Sequence, residues 1–382
     1  MSDYDNRILN DADRIQAFAR AIRRQVSTQD VVVDLGTGLG TYAMLAAQAG
    51  AKRSIGIEFD SIINVARQIA LQNNLDVEFI RGDALDVELS ERATLLIFED
   101  FSSGLLDGPA PPLLAAARKQ LVAPSCRILP QGAELEIAPV ASQRAHDMAF
   151  PNRADDYTCY GLNFQPLQYI TQNSVHHIRS PEDLALLADP VVVLRHSFEE
   201  DLPQKWAADV TFELAAEQTL AGVCLWHNLV VDEQNRYSNA PGEAAIGGQY
   251  FFAIPEVWDV KPGQRLRCEV AFQRISVDGF WRWNLQLFEH QSETACRTST
   301  GNTFAASPIT SAAMNAFYQD EVISLTSRAK LEALVLSAAD GNKSIREIHE
   351  ILQEHAPEMH EDSLEFVLGV LENRRLATAV VN

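Results

Sequence analysis

The sequence predicts an α/β unit built on a parallel sheet, followed by a β-rich domain and a small helical C-terminal unit. Three observations carry this. Val31 to Asp60 reads as strand, glycine turn, helix and second strand. From Ala133 the apolar segments become short, with turn residues between them, as in strands. After Leu325 the helical period returns. The expected units are 1–130, 131–310 with an excursion near 155–190, and 320–382.

Val31 to Val33 form an apolar β-branched run, the pattern of a parallel strand buried on both faces, and Asp34 closes it. Gly36, Gly38 and Gly40 permit a tight turn and let a ligand approach the backbone. Ala43 to Ala49 then start a helix whose free N–H groups face that ligand. Ile55 to Ile57 is the next strand, with Glu58 at its carboxyl end. An acid ~20 residues beyond such glycines is placed to hydrogen-bond ribose hydroxyls. The unit is therefore Rossmann-like, with a nucleoside-binding crevice at a strand switch point. Dinucleotide and other nucleoside ligands both remain open on these residues.

Acidic residues outnumber basic ones, 52 to 31, for a formal charge of −21. This disfavours nucleic acid or an anionic membrane as the main partner and favours a basic or neutral polypeptide, unless acidity serves solubility alone. Cys126, Cys159, Cys224, Cys268 and Cys296 are far apart, so neither a zinc site nor a disulfide framework is suggested, and no metal is expected. The charged start MSDYDNRILNDADR and the absence of an 18-residue apolar run argue against a signal peptide or membrane span; a cytoplasmic location is expected.

Taken in order, Asp11 to Val26 is an amphipathic helix capped by Asn10 or Asp11, and it delivers Arg14 toward the sheet. Arg14 could pair with a ligand carboxylate or, more plainly, with Asp11. Ile62 to Asn73 is helical, and Val77 to Ile80 is a third strand leading to Gly82, Asp83 and Ala84. Asp83 can accept from an adenine amino group or simply form a turn. Thr94 to Phe98 is the fourth strand, ending in Glu99 and Asp100, which are placed to hold a nucleophile. The loop Phe101 to Pro112, with Asp107 near its middle, walls the pocket; Leu113 to Leu121 is a helix, and Cys126 to Pro130 leads out of the unit. Strands are expected at Glu134–Ile137, Ala208–Leu214, Gly222–Leu229, Tyr250–Ile254, Leu266–Phe272 and Trp281–Phe288, forming a barrel or sandwich. Val260-Lys261-Pro262-Gly263 joins two of them. In the tail, Ser344 and Glu347 form a capping-box pattern, Asp362 or Ser363 caps the last helix, and ATAVV forms a final strand, giving a winged-helix-like unit.

The acid Asp34 with alternating Gly36, Gly38 and Gly40 resembles motif I of class I S-adenosylmethionine methyltransferases. With VVDLGTGLG, AGAKRSIGIE, IRGDALDVEL, APSCRILP, YGLNF and FFAIPEVWDVKPGQ, the similarity to the protein arginine methyltransferase family runs from about Leu9 to Phe304. The resemblance implies a Rossmann-like domain followed by a β-barrel, with S-adenosylmethionine as cofactor. It implies that Arg14 holds the cofactor carboxylate, that Glu58 is the ribose acid, and that Glu99 is the first glutamate of the family's double-E loop. It also makes the 155–190 excursion a dimerisation arm and the chain a homodimer. Three departures stand out. The second glutamate falls at Gly108, with Asp107 the nearest substitute. The Thr-His-Trp loop becomes Ala245-Ile246-Gly247-Gly248, and of the N-terminal tyrosine-rich helix only Tyr4 remains.

DGNKSIREIHEIL and ENRRLA in the tail resemble PqqD-like domains, which bind leader peptides by strand addition. The expected function is thus methyl transfer to a peptide in ribosomal natural-product biosynthesis. The alternatives are protein arginine, a small guanidino or amino metabolite, or a non-catalytic binding scaffold.

Overall fold

The computed structural model describes residues 8–83, 86–150, 158–159, 161–179, 181–243, 247–274, 279–306, 327–356 and 363–373. Helix α1 (Ala12–Gln25) begins where the Asp11 carboxylate accepts from the Arg14 N–H at 3.1 Å, and it buries Ala17, Phe18, Ala21 and Ile22. Five strands follow: β1 (Val31–Leu35), β2 (Arg53–Glu58), β3 (Glu78–Arg81), β4 (Ala93–Phe98) and β5 (Val122–Leu129). Between them run α2 (Thr41–Gln48), α3 (Ile63–Gln72) and α4 (Ala110–Gln120). The strands form one parallel sheet in the order β3-β2-β1-β4-β5. Every residue of β1 is buried, which accounts for its unbroken apolar run. Each such aliphatic side chain contributes about 1.5–3 kcal/mol by leaving water.

Strand addition goes one way from β1 to β2 and the other way from β1 to β4. The gap between the carboxyl ends of β1 and β4 is therefore where a ligand can enter. The segment expected only to lead out of the unit is instead strand β5, with Ile128 opposite Leu96. It sits at the sheet edge with mixed burial, so it lacks the apolar run that marks its neighbours.

The second region holds β6 (Gly132–Ala141), α5 (Gln143–Ala149), β7 (Thr158–Cys159), β8 (Leu162–Asn163), α6 (Pro166–Gln172), β9 (His176–Ile178), β10 (Ala185–Leu186) and β11 (Val191–Ser197). It continues through β12 (Lys205–Glu213), β13 (Gln218–Val230), β14 (Arg236–Ser238), β15 (Gln249–Val260), β16 (Arg265–Arg274), β17 (Gly279–Phe288), β18 (Ala295–Asn302) and α7 (Thr303–Ala306). The expected barrel is not closed. Among the described residues a seven-stranded sheet and a four-stranded sheet (β12-β16-β17-β18) share no ladder. Side chains join them instead: the Phe252 ring centroid lies 5.9 Å from that of Trp281 and 5.1 Å from that of Trp283. Gly263, at φ +83°, closes the turn between β15 and β16.

The two regions are held together by α1. Arg20 donates to Asn235 at 2.8 Å, Arg24 pairs with Asp232, and the Tyr237 hydroxyl donates to Asp11 at 2.7 Å. The tail forms α8 (Ser327–Ala338), α9 (Ile345–His355) and α10 (Ser363–Asn373) around a core of its own that includes Val335, Ile348, Leu352 and Val367. Ser344 and Glu347 make the capping box reciprocally. The described residues of this unit are helical, and a winged-helix assignment is not shown. The ATAVV segment, Asp362, Ala84, Ala245, Ile246 and Tyr4 lie outside the described residues.

Candidate active site

The carboxyl ends of β1, β2 and β4 enclose a cavity of about 440 Å³. Its wall carries six carboxylates, Asp34, Glu58, Asp60, Asp83, Glu99 and Asp100, and among the described lining residues no lysine, arginine or histidine. Such a wall favours a cationic ligand.

On the β1–β2 side the acids are fixed by neighbours close in sequence. Asp34 accepts from the Thr37 hydroxyl at 2.5 Å and from the Ala43 N–H at 3.1 Å. Burial pushes its carboxyl up to about 7, against the pull of those two donors. Glu58 accepts from the N–H groups of Gly38 and Asp60, each at 3.0 Å, and burial raises it as well. The turn is left-handed at its three glycines, with φ +73° for Gly36, +52° for Gly38 and +79° for Gly40. A Cβ on Gly36 or Gly38 would meet nothing within 4 Å, so the cavity reaches the backbone there. On Gly40 a Cβ would lie 2.7 Å from the Phe79 ring, so that glycine serves packing. Asp83 reaches the cavity wall beside Gly82.

On the β4 side the partners are remote in sequence. Arg14 Nη1 lies 2.8 Å from Glu99 Oε2; Arg14 is buried and Glu99 largely so. Burial opposes the guanidinium charge, yet Glu99 and then Tyr237 hold its pKa above the ordinary value. Burial pushes the Glu99 carboxyl up to about 7, partly offset by Arg14, and burial also raises neighbouring Asp100. Arg14, assigned from sequence to a ligand carboxylate, thus spends one nitrogen on Glu99, and its centre lies 5.2 Å from the Tyr237 ring centroid.

Asp107 is not among the residues that line the cavity. Its Oδ2 accepts from Tyr250 Oη at 2.9 Å and Trp281 Nε1 at 2.7 Å, and its Oδ1 accepts from Ser102. A Cβ on Gly104 would lie 2.4 Å from Tyr250, so the loop after β4 is pressed onto the β region. Ser103 Oγ is 2.8 Å from His177 Nε2 on β9, a second clamp on the same loop.

In the segment that replaces the Thr-His-Trp loop, Gly247 lies against Asn239 and Gly248 against Ile178. Asp11 is engaged by Tyr237. The sequence reading missed Tyr237, Tyr250 and Trp281, since no motif flags an aromatic residue 143 to 226 positions from the acid it meets. It also passed over Tyr42 on α2, which lines the cavity.

No family model matches the chain. Over 267 residues it is 24% identical to the probable histone-arginine methyltransferase 1.4 of Arabidopsis thaliana, covering 63% of this chain and 49% of that relative. The chain thus spans about half the length of that curated relative. Protein arginine methyltransferase 10 of Arabidopsis thaliana, solved in an open conformation, superposes with a TM-score of 0.65 at 20% identity, covering 77% of this chain and 96% of that one. The Trypanosoma brucei PRMT1 enzyme–prozyme heterotetrameric complex with AdoHcy gives a TM-score of 0.65 at 16% identity, with the same coverages. The fold is accordingly arginine methyltransferase-like: a Rossmann-like parallel sheet followed by an antiparallel sheet region.

Proposed function

We propose that this chain is an S-adenosylmethionine-dependent methyltransferase that acts on arginine nitrogen in a protein. The observation that carries this reading is the switch-point cavity, with six carboxylates, two open glycines and no lining cation. Similarity to arginine methyltransferases supports it, as does AdoHcy in the trypanosomal complex. The residues fit the cofactor: Gly36 and Gly38 leave room for it, Glu58 and Asp83 are assigned to its ribose and adenine and Asp34 to its amino-acid end, while Arg14 pairs with Glu99 and is not among the lining residues. When bound, S-adenosylmethionine supplies an electrophilic methyl group.

The chain's own task is alignment and water exclusion. Arg14 engages Oε2 of Glu99 and so leaves Oε1 for the acceptor. Glu99 and Asp100 then orient the acceptor's N–H groups and hold the proton that the nitrogen loses. With a pKa near 7, Glu99 is ionised in a useful fraction at neutral pH.

A second reading, a small amino metabolite or a peptide amine as acceptor, is favoured by Asp107. It is held by Tyr250 and Trp281, and a guanidinium needs two well-placed carboxylates to be gripped bidentately. The relatives reported above are arginine methyltransferases and lend no support to ribosomal natural-product biosynthesis. We assign the tail to recognition of the polypeptide substrate, and the 155–190 excursion, with exposed Leu162, Leu167 and Tyr169, to a homodimer contact. Among the described residues no helix is long and apolar enough to cross a membrane, and four cysteines are free thiols, which suits the cytoplasm.

The test is calorimetric titration with S-adenosylhomocysteine, then mass spectrometry after incubation with S-adenosylmethionine and arginine-containing proteins, peptides or free arginine. Micromolar binding and a gain of one methyl mass on protein arginine are expected. Absence of binding overturns the enzyme reading, and a gain only on a free metabolite selects the second one.

A further inference from the structure

Tyr42 lies in the first turn of α2, where its ring stacks on Phe18 with centroids 4.8 Å apart, and it lines the cavity. Its residue exposure is 8%, and its hydroxyl oxygen is buried with no hydrogen-bond partner among the described residues. A buried hydroxyl left without a partner costs about 1–3 kcal/mol, so a ligand that supplies one gains by binding there. One other donor of the same corner is in the same condition. Arg14 Nε is buried without a hydrogen bond, and the nearest Asp11 oxygen, at 3.7 Å, is too far to be one.

The Tyr42 ring stacks on Phe18, one turn along α1 from Arg14, which in turn pairs with Glu99 at the end of β4. Tyr42 therefore stands on the β4 side of the cavity wall. Burial first, and Glu99 next, raise its pKa, so the phenol stays protonated and can donate. An unfilled hydroxyl donor on a wall that also carries Asp34 and Glu99 is complementary to a zwitterion: the donor suits a carboxylate, the acids an ammonium.

We propose that the Tyr42 hydroxyl donates to the carboxylate of the ligand's amino-acid end, making Tyr42 a specificity determinant for a nucleoside that carries an amino acid over one that does not. This rests on the reading of the cavity as an S-adenosylmethionine site.

The test compares wild type and Tyr42→Phe, which keeps the ring and its stack on Phe18. Each is titrated with S-adenosylhomocysteine and with methylthioadenosine, which lacks the amino-acid end, and each is melted without ligand. Expected for Tyr42→Phe is a loss of roughly tenfold or more in affinity for S-adenosylhomocysteine. Methylthioadenosine affinity should stay the same, and the ligand-free melting temperature should be equal or higher, since no bond is lost. Unchanged affinity for S-adenosylhomocysteine overturns the proposal. Equal loss for both ligands does so too, because it would put the hydroxyl on the nucleoside or in the scaffold. If the wild type binds neither ligand, the cofactor reading falls, and this inference with it.

Discussion

The two sides of the cavity hold their acids by different means. On the glycine-turn side, Asp34 and Glu58 take their hydrogen bonds from Thr37, Gly38, Ala43 and Asp60, no more than 20 positions away. On the β4 side, Glu99 pairs with Arg14 across 85 positions, and Asp107 meets Tyr250 and Trp281 across 143 and 174. The first side is a local device that one strand-turn-helix unit can form. The second exists only when α1, the loop after β4 and the β region are docked together. Disturbing the first should therefore cost ligand binding, and disturbing the second should cost stability.

The largest expected effect is that of Glu99→Gln. At pH 8, above the Glu99 pKa of about 7, it leaves the Arg14 charge buried without its partner. Unfolding in urea should show a loss of about 3–5 kcal/mol, together with loss of methyl transfer. A loss below ~1 kcal/mol would mean that the pair behaves as a surface pair.

The glycines sharpen the contrast within one turn. Gly40→Ala forces a Cβ against Phe79 and should cost about 3 kcal/mol of stability. Gly38→Ala, with open space around it, should cost about 1 kcal/mol while weakening S-adenosylhomocysteine binding. Equal stability losses would break the distinction between packing and ligand approach. Glu58→Ala should weaken S-adenosylhomocysteine about 100-fold by calorimetry; unchanged affinity would remove Glu58 from the ribose.

Titration separates stability from turnover. Burial raises Asp34 to about 7, above the ordinary carboxylate value, so the folded chain holds an extra proton between roughly pH 4 and 7. Its stabilisation is fully present at the low end of that window and is lost as pH rises through about 7. Turnover should rise over the same range, because ionised Glu99 is the form that orients the acceptor. Parallel rather than opposite slopes in denaturation and rate profiles would argue that Glu99 does not act in the reaction.

A smaller effect than at Glu99 or Gly40 is expected at Asp107. Asp107→Asn keeps a side chain of the same shape and should lower stability by about 1–2 kcal/mol, leaving S-adenosylhomocysteine affinity unchanged. A weakened affinity would place Asp107 in the ligand site after all.

How far the fold could be read follows the same division. β1, β2 and β4 announced themselves through apolar runs, and the Ser344 capping box through its spacing. Strand β5 did not, because an edge strand is only partly buried. Strand segments in the β region were legible, but their pairing into two sheets rather than a barrel was not, since residue alternation fixes which face is buried and not which edges meet.

By itself the sequence determined the nucleoside crevice: Asp34, the three glycines and Glu58 lie in a single βαβ stretch, where local sterics and periodicity leave one arrangement. Only the tertiary structure decided what the other acids do. Whether Arg14 faces a ligand or Glu99, whether Asp107 faces the cavity or Trp281, and whether the Tyr42 hydroxyl has a partner all depend on contacts between distant segments. Hydrogen bonds and ion pairs act over a few ångströms of space, and chain order does not encode that distance.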